Sequence, residues 1–324
     1  MRFGFLGRRS IKIAVTLVLL GVLAAVIEWE EFARLFRQVS WQLLVPLYVW
    51  LGSARIVEAF QLKVIIDSFK QATSLTNVFL ANALATFYGF ILPGDVFATI
   101  PKWLVLSKGK GSRSDILNAI VYNRIALLIP PVVLGCISLA LLDPFESRWN
   151  TAVLLAAGCV IVAGTVLLLH PRSGRFLLNA IAYLAARAPP KLNGAVSAMI
   201  VSFAQIHKLT FRVHLANYSL SLSVALIRIF GFVFAAQIAQ IDVPPLSLAF
   251  AYSLIVILAL FPLTVGNIGI REGVLIYVLQ MFGVSATQSI LLGLILLSEQ
   301  VAFAVIGGIY QVSLFRRSSF ARRY

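Results

Sequence analysis

Long apolar runs with almost no charge recur along this sequence and constrain its fold more than any other feature. Several approach or exceed the roughly 18 residues needed to cross a hydrocarbon core about 30 Å thick. The chain is 60% hydrophobic and only 12% charged. Because backbone polar groups must be satisfied internally in lipid, these runs are expected to be helical. The sequence therefore predicts an all-α, polytopic membrane protein that forms a single domain over residues 1–324.

Six of the runs are predicted to be full transmembrane helices. The first follows four basic residues and resembles a signal peptide. No small-x-small cleavage site precedes the acidic residues Glu28, Glu30 and Glu31, which favours an uncleaved helix. The six helices are predicted at about residues 13–27, 41–66, 115–142, 151–169, 214–241 and 288–313.

Two further apolar stretches contain helix-breaking residues and are predicted to form hairpins of short helices. Residues 75–106 are interrupted at Pro93-Gly94-Asp95 and again at Pro101, and residues 246–282 are interrupted over 262–272. Proline removes a backbone donor, and glycine tolerates unusual dihedral angles. Both hairpins are predicted to be re-entrant, because non-helical backbone at membrane depth must line a cavity or be buried in protein. Two thin full spans are the alternative for the first hairpin, and a short cytoplasmic turn is the alternative for the second.

The basic residues are distributed unevenly among the predicted loops, and this bias sets the orientation. Twenty of the 27 lysines and arginines lie in segments predicted to be cytoplasmic, three lie in outside loops and four lie within the membrane. An excess of basic residues marks the cytoplasmic side, where it meets anionic lipid. The formal net charge of +15 is therefore attributed to the membrane and not to nucleic acid. We expect a multi-pass protein of the plasma membrane (the bacterial inner membrane) with both termini in the cytoplasm.

The order of elements predicts an inverted-topology repeat. One half covers about residues 41–142 and the other about residues 214–313, and each contains a span, a broken hairpin and a long helix with a buried polar group. The first hairpin is predicted to open to the cytoplasm and the second to the outside. The connector, about residues 170–212, is predicted to contain an amphipathic helix on the cytoplasmic leaflet. Its apolar residues at helical spacing are Val196, Met199, Ile200, Phe203 and Ile206.

Eight charged residues lie in the predicted membrane segments, where charge is costly and indicates function. Arginine offers a bidentate fork to phosphate oxygens, so a lipid phosphate is the predicted ligand. The near balance of charge would let an empty cavity close by internal pairing. The alternative is that all eight residues form structural ion pairs. They are Arg55, Arg124, Arg228 and Arg271, with Glu58, Asp95, Glu272 and Glu299.

Some pairings among these residues can be predicted. Arg55 and Glu58 lie on one helix face three residues apart, either as an ion pair that fixes helix register or as part of a substrate site. Arg124 has no acidic neighbour in sequence, so we expect a partner from the other half, Glu272 or Glu299. Adjacent residues on a helix point about 100° apart. We therefore expect Arg271 to meet lipid phosphate and Glu272 to face a basic residue of the first half.

The sequence motifs of an enzyme or a metal site are not found. There is no glycine-rich phosphate loop, no Asp-x-Asp pair and no His-x-x-x-His motif. Cys136 and Cys159 lie in apolar segments and are interpreted as packing residues. His207 and His214 have no carboxylate beside them and are interpreted as loop residues. We therefore predict neither catalytic residues nor a metal ion nor a cofactor.

The two broken stretches also carry motifs. The second contains Pro262-x3-Gly266-x2-Gly269-x-Arg271-Glu272-Gly273. This resembles the second glycine-rich motif of the lysylphosphatidylglycerol synthase transmembrane family, a flippase-like module found alone or fused to a soluble aminoacyl-lipid synthase domain. Pro93-Gly94 and Lys102 match the first motif, whereas Phe97-Ala98-Thr99 replaces Gly-Gly-Asp and Asn123-Arg124 replaces Glu-Arg. The family's usual arginine near Ser298-Glu299-Gln300 is missing. The resemblance covers about residues 10–315.

The resemblance implies binding or translocation of a polar lipid, with Lys102, Gly266 and Gly269 joining the buried charged residues at the site. The aminoacyl-transfer domain of the fused members has no counterpart in this sequence, so lipid aminoacylation is not expected. We predict a non-enzymatic protein that binds and flips a polar or anionic lipid, with membrane lipids as partners and no nucleic acid. The alternatives are a non-catalytic membrane partner or scaffold of a lipid- or glycan-modifying enzyme, and a lipid-linked transferase.

Overall fold

A computed structural model describes most of the chain. The described residues are 18, 21–91, 95–108, 112–143, 148–169, 173–176, 178–179, 183, 203–260, 264 and 267–320. Every secondary-structure element among them is helical, which confirms the all-α prediction. The helices are α1 (Trp29–Gln38), α2 (Leu44–Ser68), α3 (Leu75–Gly89), α4 (Asp95–Leu106), α5 (Arg113–Leu142), α6 (Arg148–Leu169), α7 (Phe211–Ile238), α8 (Pro245–Leu258), α9 (Ile270–Gln280) and α10 (Ala286–Phe320).

Five of the described helices are long and apolar enough to cross a membrane. They correspond to the second through sixth predicted spans, so the polytopic prediction is confirmed for this part of the chain. Most of the first predicted span lies outside the described residues, although residues 21–26 are helical. The five segments are Trp41–Ser68, Arg113–Leu142, Trp149–Leu167, Phe211–Ile238 and Ala286–Phe315.

The first hairpin consists of α3 and α4, which pack against each other. Ser74 begins α3, and its hydroxyl accepts a hydrogen bond from the backbone N–H of Asn77 at 3.2 Å. The predicted second break at Pro101 is wrong, because α4 continues through this proline. The residues that follow it, Lys102 and Ser107, are both buried. The missing N–H donor of Pro101 therefore does not end the helix.

The second hairpin consists of α8 and α9, and the residues described between them, 259–260, 264 and 267–269, are not helical. Pro262 and Gly266 lie outside the described residues. Asn267 and Gly269 have φ angles of 58° and 88°, in the left-handed region that glycine adopts at no steric cost. The backbone N–H of Gly269 donates to Glu272 Oε2 at 2.7 Å, and this bond caps the first turn of α9.

The four hairpin arms are too short to span a membrane alone. They contain 15 and 12 residues in the first hairpin and 14 and 11 in the second. At about 1.5 Å per residue each arm is roughly 16–23 Å long, against a hydrocarbon core of about 30 Å. These lengths favour the re-entrant interpretation of both hairpins over full spans.

The described helices form two sets with the same order of elements. We call α2–α5 the first half and α7–α10 the second half. The most extensive helix pairings are α2 with α7, α3 with α10, and α8 with α5. Exchanging the halves maps the first pairing onto itself and the other two onto each other. This is the pattern expected of halves related by a two-fold axis; the inverted topology and the half boundaries remain predictions.

The connector is described only in part, and Val196, Met199 and Ile200 lie outside that part. Phe203 and Ile206 are buried against the first half, in an apolar cluster with Ile65 and Tyr122. For these two residues, protein covers the apolar face that the sequence analysis assigned to the leaflet surface. Burial in this cluster removes the same apolar area from water as a membrane surface would.

Candidate functional site

A cavity of about 350 Å³ lies between the two halves and is lined by apolar and charged side chains. All of its described walls are built from helices predicted to lie in the membrane or from hairpin residues. Seven of the predicted site residues line it together, although they are far apart in sequence. They are Arg55, Glu58, Lys102, Arg124, Arg228, Arg271 and Glu299.

Each half contributes to the cavity through equivalent elements. Lys102 comes from α4 and Arg271 from α9, which are the second arms of the two hairpins. Arg124 and Glu299 come from α5 and α10, the long helices that follow each hairpin. The broken hairpins therefore bring one basic residue each to a space that the long helices also reach.

Two ion pairs cross the cavity between the halves. Arg55 Nε and Nη2 donate to the two carboxylate oxygens of Glu299, both at 3.2 Å. Arg228 Nη2 donates to Glu58 Oε2 at 3.0 Å. The predicted Arg55–Glu58 register pair is therefore wrong, since each residue pairs with the other half. Two side chains on one face of α2 both point into the cavity, where partners with better geometry are available.

Additional contacts hold the Arg55–Glu299 pair. The Arg55 guanidinium lies 4.6 Å from the ring centroid of Phe303, a cation–π distance. Tyr48 donates its hydroxyl to Ser298 Oγ at 2.7 Å, next to Glu299 on α10. Both side chains of the pair are nearly buried, at 13% and 10% exposure. This pair connects α2 to α10.

Glu272 has a different role from the one predicted. Its side chain caps its own helix through Gly269 and packs against Gly293 of α10, and it is not among the described residues of the cavity wall. The expectation that it faces a basic residue of the first half is wrong. Glu272 is the third residue of α9, where a carboxylate accepts from the helix N-terminus without needing a distant cation.

Arg271 and Arg124 both lie on the cavity wall. Arg271 is 6% exposed, and its Nη2 donates to the neutral side-chain oxygen of Gln300 at 2.9 Å. The partners expected for Arg124 were Glu272 or Glu299, and the structure joins both carboxylates elsewhere. Those two hydrogen-bonded pairs are therefore not formed, because Arg55 takes Glu299 and the Gly269 N–H takes one oxygen of Glu272.

The described wall of the cavity is basic. Five cationic side chains face two carboxylates, Glu58 and Glu299. Three differences separate this described wall from the four arginines and four acidic residues expected from the sequence. Lys102 was counted with the cytoplasmic flank but is only 8% exposed and lines the cavity, and Glu272 points away from it. The side chain of Asp95 lies outside the described part, as does Gly266.

Several neutral polar residues at the site were not predicted. Gln300 and Asn267 line the cavity, as does Tyr252 of α8. Beside the cavity, Gln61 Nε2 donates to Asn217 Oδ1 and to Ser221 Oγ, each at 2.6 Å, and so links α2 to α7. The available signal was a neutral polar residue inside an apolar helix, which is costly in lipid unless it has a hydrogen-bond partner.

The two histidines lie away from this cavity. His214 Nδ1 is hydrogen-bonded to the hydroxyl of Tyr122. Both His207 and His214 line a separate apolar pocket between α5, α6 and α7. Within the part of the chain that the structure describes, no three histidine, cysteine or acidic side chains are grouped to hold a metal ion.

The fold and the cavity define a polytopic helical membrane protein with a buried basic site between two sets of helices. Residues 9–308 match the family model described as Lysylphosphatidylglycerol synthase TM region, and the chain belongs to this family. The match is to the membrane region of the family and not to a catalytic domain.

A curated relative agrees with this assignment. A "UPF0104 membrane protein" from Methanothermobacter thermautotrophicus is 22% identical over 295 residues, which is 85% of this chain and 83% of the relative. No solved structure matches the chain.

Proposed function

We propose that this protein binds a polar lipid through its phosphate and moves the headgroup between the leaflets of the membrane. The observation that carries the proposal is the cavity between the halves, whose described wall includes two nearly buried basic residues, Lys102 and Arg271. A cation at membrane depth is costly unless an anion compensates it. A lipid phosphate supplies that anion and is already present in the surrounding membrane.

The pairing of the side chains argues against a purely structural role for all of these charges. Glu299 and Glu58 are held by Arg55 and Arg228. Arg271 is bonded to a neutral amide, which orients the guanidinium but does not offset its charge. A contact that only holds helices together would place a carboxylate at hydrogen-bond distance, as in the two inter-half pairs, whereas the Arg271 guanidinium makes no such contact among the described residues.

The size of the cavity suggests how a lipid uses it. Its volume of about 350 Å³ lies at the small end of the ligand-pocket range, roughly 300–1,000 Å³. A phosphate with a small headgroup fits this space, whereas two acyl chains do not. The headgroup therefore passes through the protein while the chains remain in lipid. Movement of the halves would exchange the inter-half ion pairs for contacts with the phosphate.

Lipid scrambling in reconstituted vesicles tests this function. Vesicles contain fluorescent phosphatidylglycerol, and a membrane-impermeant reductant bleaches the label in the outer leaflet. We expect the protein to make the inner-leaflet label accessible. Arg271→Leu should abolish this activity, and Arg271→Lys should restore part of it, because an ammonium lacks the bidentate fork.

The matched control is Arg212→Leu, since Arg212 is exposed at the start of α7. Arg212→Leu should scramble lipid like the wild type. Each variant is first checked for a single symmetric peak in size-exclusion chromatography. Wild-type protein that moves no lipid would refute the proposed transport and favour the scaffold alternative.

The orientation is part of the proposal and has its own test. Reporter fusions after residues 110, 190 and 320 should be cytoplasmic, and fusions near residues 146 and 243 should be external. Single cysteines at Thr264, Asn267 and Ile270 examine the second hairpin in intact cells. If a membrane-impermeant reagent labels all three freely from the cytoplasmic side alone, the segment is a plain cytoplasmic turn.

A further inference from the structure

We infer that α1 lies flat in the surface of the membrane, with one aromatic face inserted at the boundary between lipid headgroups and acyl chains. The partner of this face is the bilayer itself. The helix connects the first predicted span, of which residues 21–26 are described and helical, to the span that begins at Trp41. Because it connects two spans, α1 starts and ends at the membrane surface. Its attachment there is independent of whether the cavity transports lipid.

The side chains of α1 are sorted onto two faces. Trp29, Phe32 and Phe36 follow one another at spacings of three and four residues, which places them on the same side of a helix. A face rich in tryptophan and phenylalanine opposite a charged face is the pattern of a helix that lies in the membrane interface. The charged and amide side chains of the opposite face are Glu30, Glu31, Arg34, Arg37 and Gln38.

The aromatic side chains form a connected row that protein covers only in part. The Phe32 ring centroid lies 6.2 Å from that of Trp29 and 5.8 Å from that of Phe36. Phe36 in turn lies 4.6 Å from Trp41, between ring centroids. Trp29, Phe36 and Trp41 are 62%, 44% and 47% exposed. Contiguous exposed apolar surface marks an interaction site, and tryptophan is enriched where membrane meets water.

The row continues into the lipid-facing side of α2. Trp41, Val45 and Val49 follow one another at spacings of four residues, and the two valines are 67% and 71% exposed. In a span of 28 residues these exposed valines face acyl chains. Because Phe36 packs on Trp41, the aromatic face of α1 is continuous with this lipid-facing surface. The same lipid therefore covers both.

Two hydrogen bonds connect the polar side of α1 to the start of α10. The backbone N–H of Glu28, just before the helix, donates to Thr287 Oγ1 at 3.2 Å. Ser285 donates its hydroxyl to Glu31 Oε1, also at 3.2 Å. Since α10 belongs to the second half and Trp41 leads into α2 of the first, α1 joins the two halves at this end of the protein. Insertion of its aromatic face holds this join at the membrane surface.

The charges of α1 indicate which force inserts it. The helix contains two glutamates and two arginines, whose charges cancel. Attraction to anionic lipid is therefore weak, and burial of the aromatic rings supplies the free energy. We expect α1 to insert equally in vesicles of phosphatidylcholine and in vesicles that also contain phosphatidylglycerol.

Spin labels on single cysteines test this placement in both kinds of vesicle, after Cys136 and Cys159 are replaced by alanine. Phe36→Cys and Arg34→Cys form a matched pair, because these positions point about 200° apart on one helix. Collisions with oxygen, which concentrates in lipid, should dominate for the label at Phe36. Collisions with a water-soluble nickel chelate should dominate for the label at Arg34.

The same measurement can overturn the placement in three ways. Dominance of the nickel chelate at both positions would mean that α1 lies in water. Few collisions with either reagent at Phe36 would mean that another protein surface covers the aromatic face. Insertion only in vesicles with phosphatidylglycerol would mean that charge, and not the aromatic face, attaches the helix.

A charge placed in the aromatic face provides a second test. A label at Ala33→Cys, an exposed position near Phe36 on the helix, reports whether the face is inserted. Phe36→Asp should lower the ratio of inserted to displaced helix by about tenfold or more, because a ring leaves the lipid and a carboxylate takes its place. Gln38→Asp on the polar face is the matched control and should leave the Ala33 label unchanged.

An Ala33 label that stays in the oxygen-rich region in the Phe36→Asp variant would also overturn the inference. Each variant is first checked for a single symmetric peak in size-exclusion chromatography. The labels at Phe36 and Arg34 require no charged substitution in the aromatic face, so they decide the placement even if Phe36→Asp does not fold.

Discussion

Two helix crossings join the halves at equivalent places, but they are built from different chemistry. In one, α3 crosses α10 at Gly307; in the other, α8 crosses α5 at Gly135. A Cβ atom at Gly307 would lie 2.1 Å from the backbone carbonyl oxygen of Ala83. At Gly135 it would lie 2.4 Å from the Cβ and Oγ atoms of Ser253. At the first crossing the glycine packs against the backbone of the other helix, and at the second the glycine packs against a side chain.

The difference shows how two halves can share an arrangement without sharing residues. Small residues let membrane helices approach closely, and interhelical hydrogen bonds add to the packing. At the second crossing the Ser253 hydroxyl donates to the carbonyl of Pro131, whereas Ala83 has no side-chain polar group. Only the closeness of approach is common to both.

The largest expected effect concerns an ion pair whose acidic member lies on the same helix as Gly307. Arg55→Leu leaves Glu299 buried and unpaired, and we expect a loss of about 3–5 kcal/mol in the free energy of unfolding. Arg228→Leu should cost less, because Arg228 and Glu58 are 23% and 20% exposed and water screens them. Denaturant unfolding in mixed micelles measures both.

The double variant Arg55→Leu with Glu299→Gln provides the control for this comparison. It removes the unpaired charge, so most of the stability should return. If the double variant is as unstable as Arg55→Leu alone, the lost packing of Arg55 on Phe303 is responsible and the ion pair is not.

The next effect concerns the first crossing directly. Gly307→Ala should destabilise the protein by about 1–3 kcal/mol, because the new methyl group meets a backbone carbonyl that cannot rotate away. Ala83→Gly should not rescue it, since the carbonyl remains. Gly164→Ala is the matched control in a helix, because nothing lies within 4 Å of a Cβ there. Thermal unfolding in detergent compares the three, and a rescue by Ala83→Gly would show that the crossing is not made by backbone.

The second crossing should respond differently to the same change. Gly135→Ala should also destabilise, but Ser253→Gly removes both atoms that the new methyl group would meet. We therefore expect a favourable coupling of about 0.5–3 kcal/mol between the two substitutions. Ser253→Ala should not rescue, because its Cβ remains in place. Additive effects of Gly135→Ala and Ser253→Gly would mean that the helices do not touch at this point.

The sequence predicted the helices and the residues that line the cavity better than it predicted which of these residues form ion pairs. Apolar run length located five membrane helices, because the bilayer imposes a length that a sequence displays directly. A charged side chain inside a membrane is energetically costly, and this rule identified four arginines as site residues. All four line the cavity: Arg55, Arg124, Arg228 and Arg271. The energetic cost of burying a charge does not indicate which oppositely charged residue is nearest in the fold. The Arg55–Glu299 pair therefore could not be predicted from the sequence.

Local conformational preferences also compete with tertiary packing, and the sequence alone does not show which of the two prevails. Pro101 was expected to break a helix, but α4 continues through it and Lys102, the next residue, is buried. Lys102 was counted with the cytoplasmic basic residues, because Lys108, Lys110 and Arg113 follow it, and only the family resemblance placed it at the site. Its burial depends on how α4 folds back against α3, which is a tertiary property.

The smallest expected effect concerns Glu272. Its substitution distinguishes a local helix cap from an ion pair between the halves. If Glu272 only caps α9, Glu272→Gln keeps an acceptor for the Gly269 N–H and should change stability by a few tenths of a kcal/mol. Glu272→Ala loses the cap and should cost about 1 kcal/mol. If Glu272 instead neutralised a buried cation of the first half, Glu272→Gln would leave that cation unpaired and cost several times more, about 3–5 kcal/mol. Unfolding of the two variants in mixed micelles distinguishes these cases, because a cap predicts that Ala is worse than Gln and an ion pair predicts that both are equally severe.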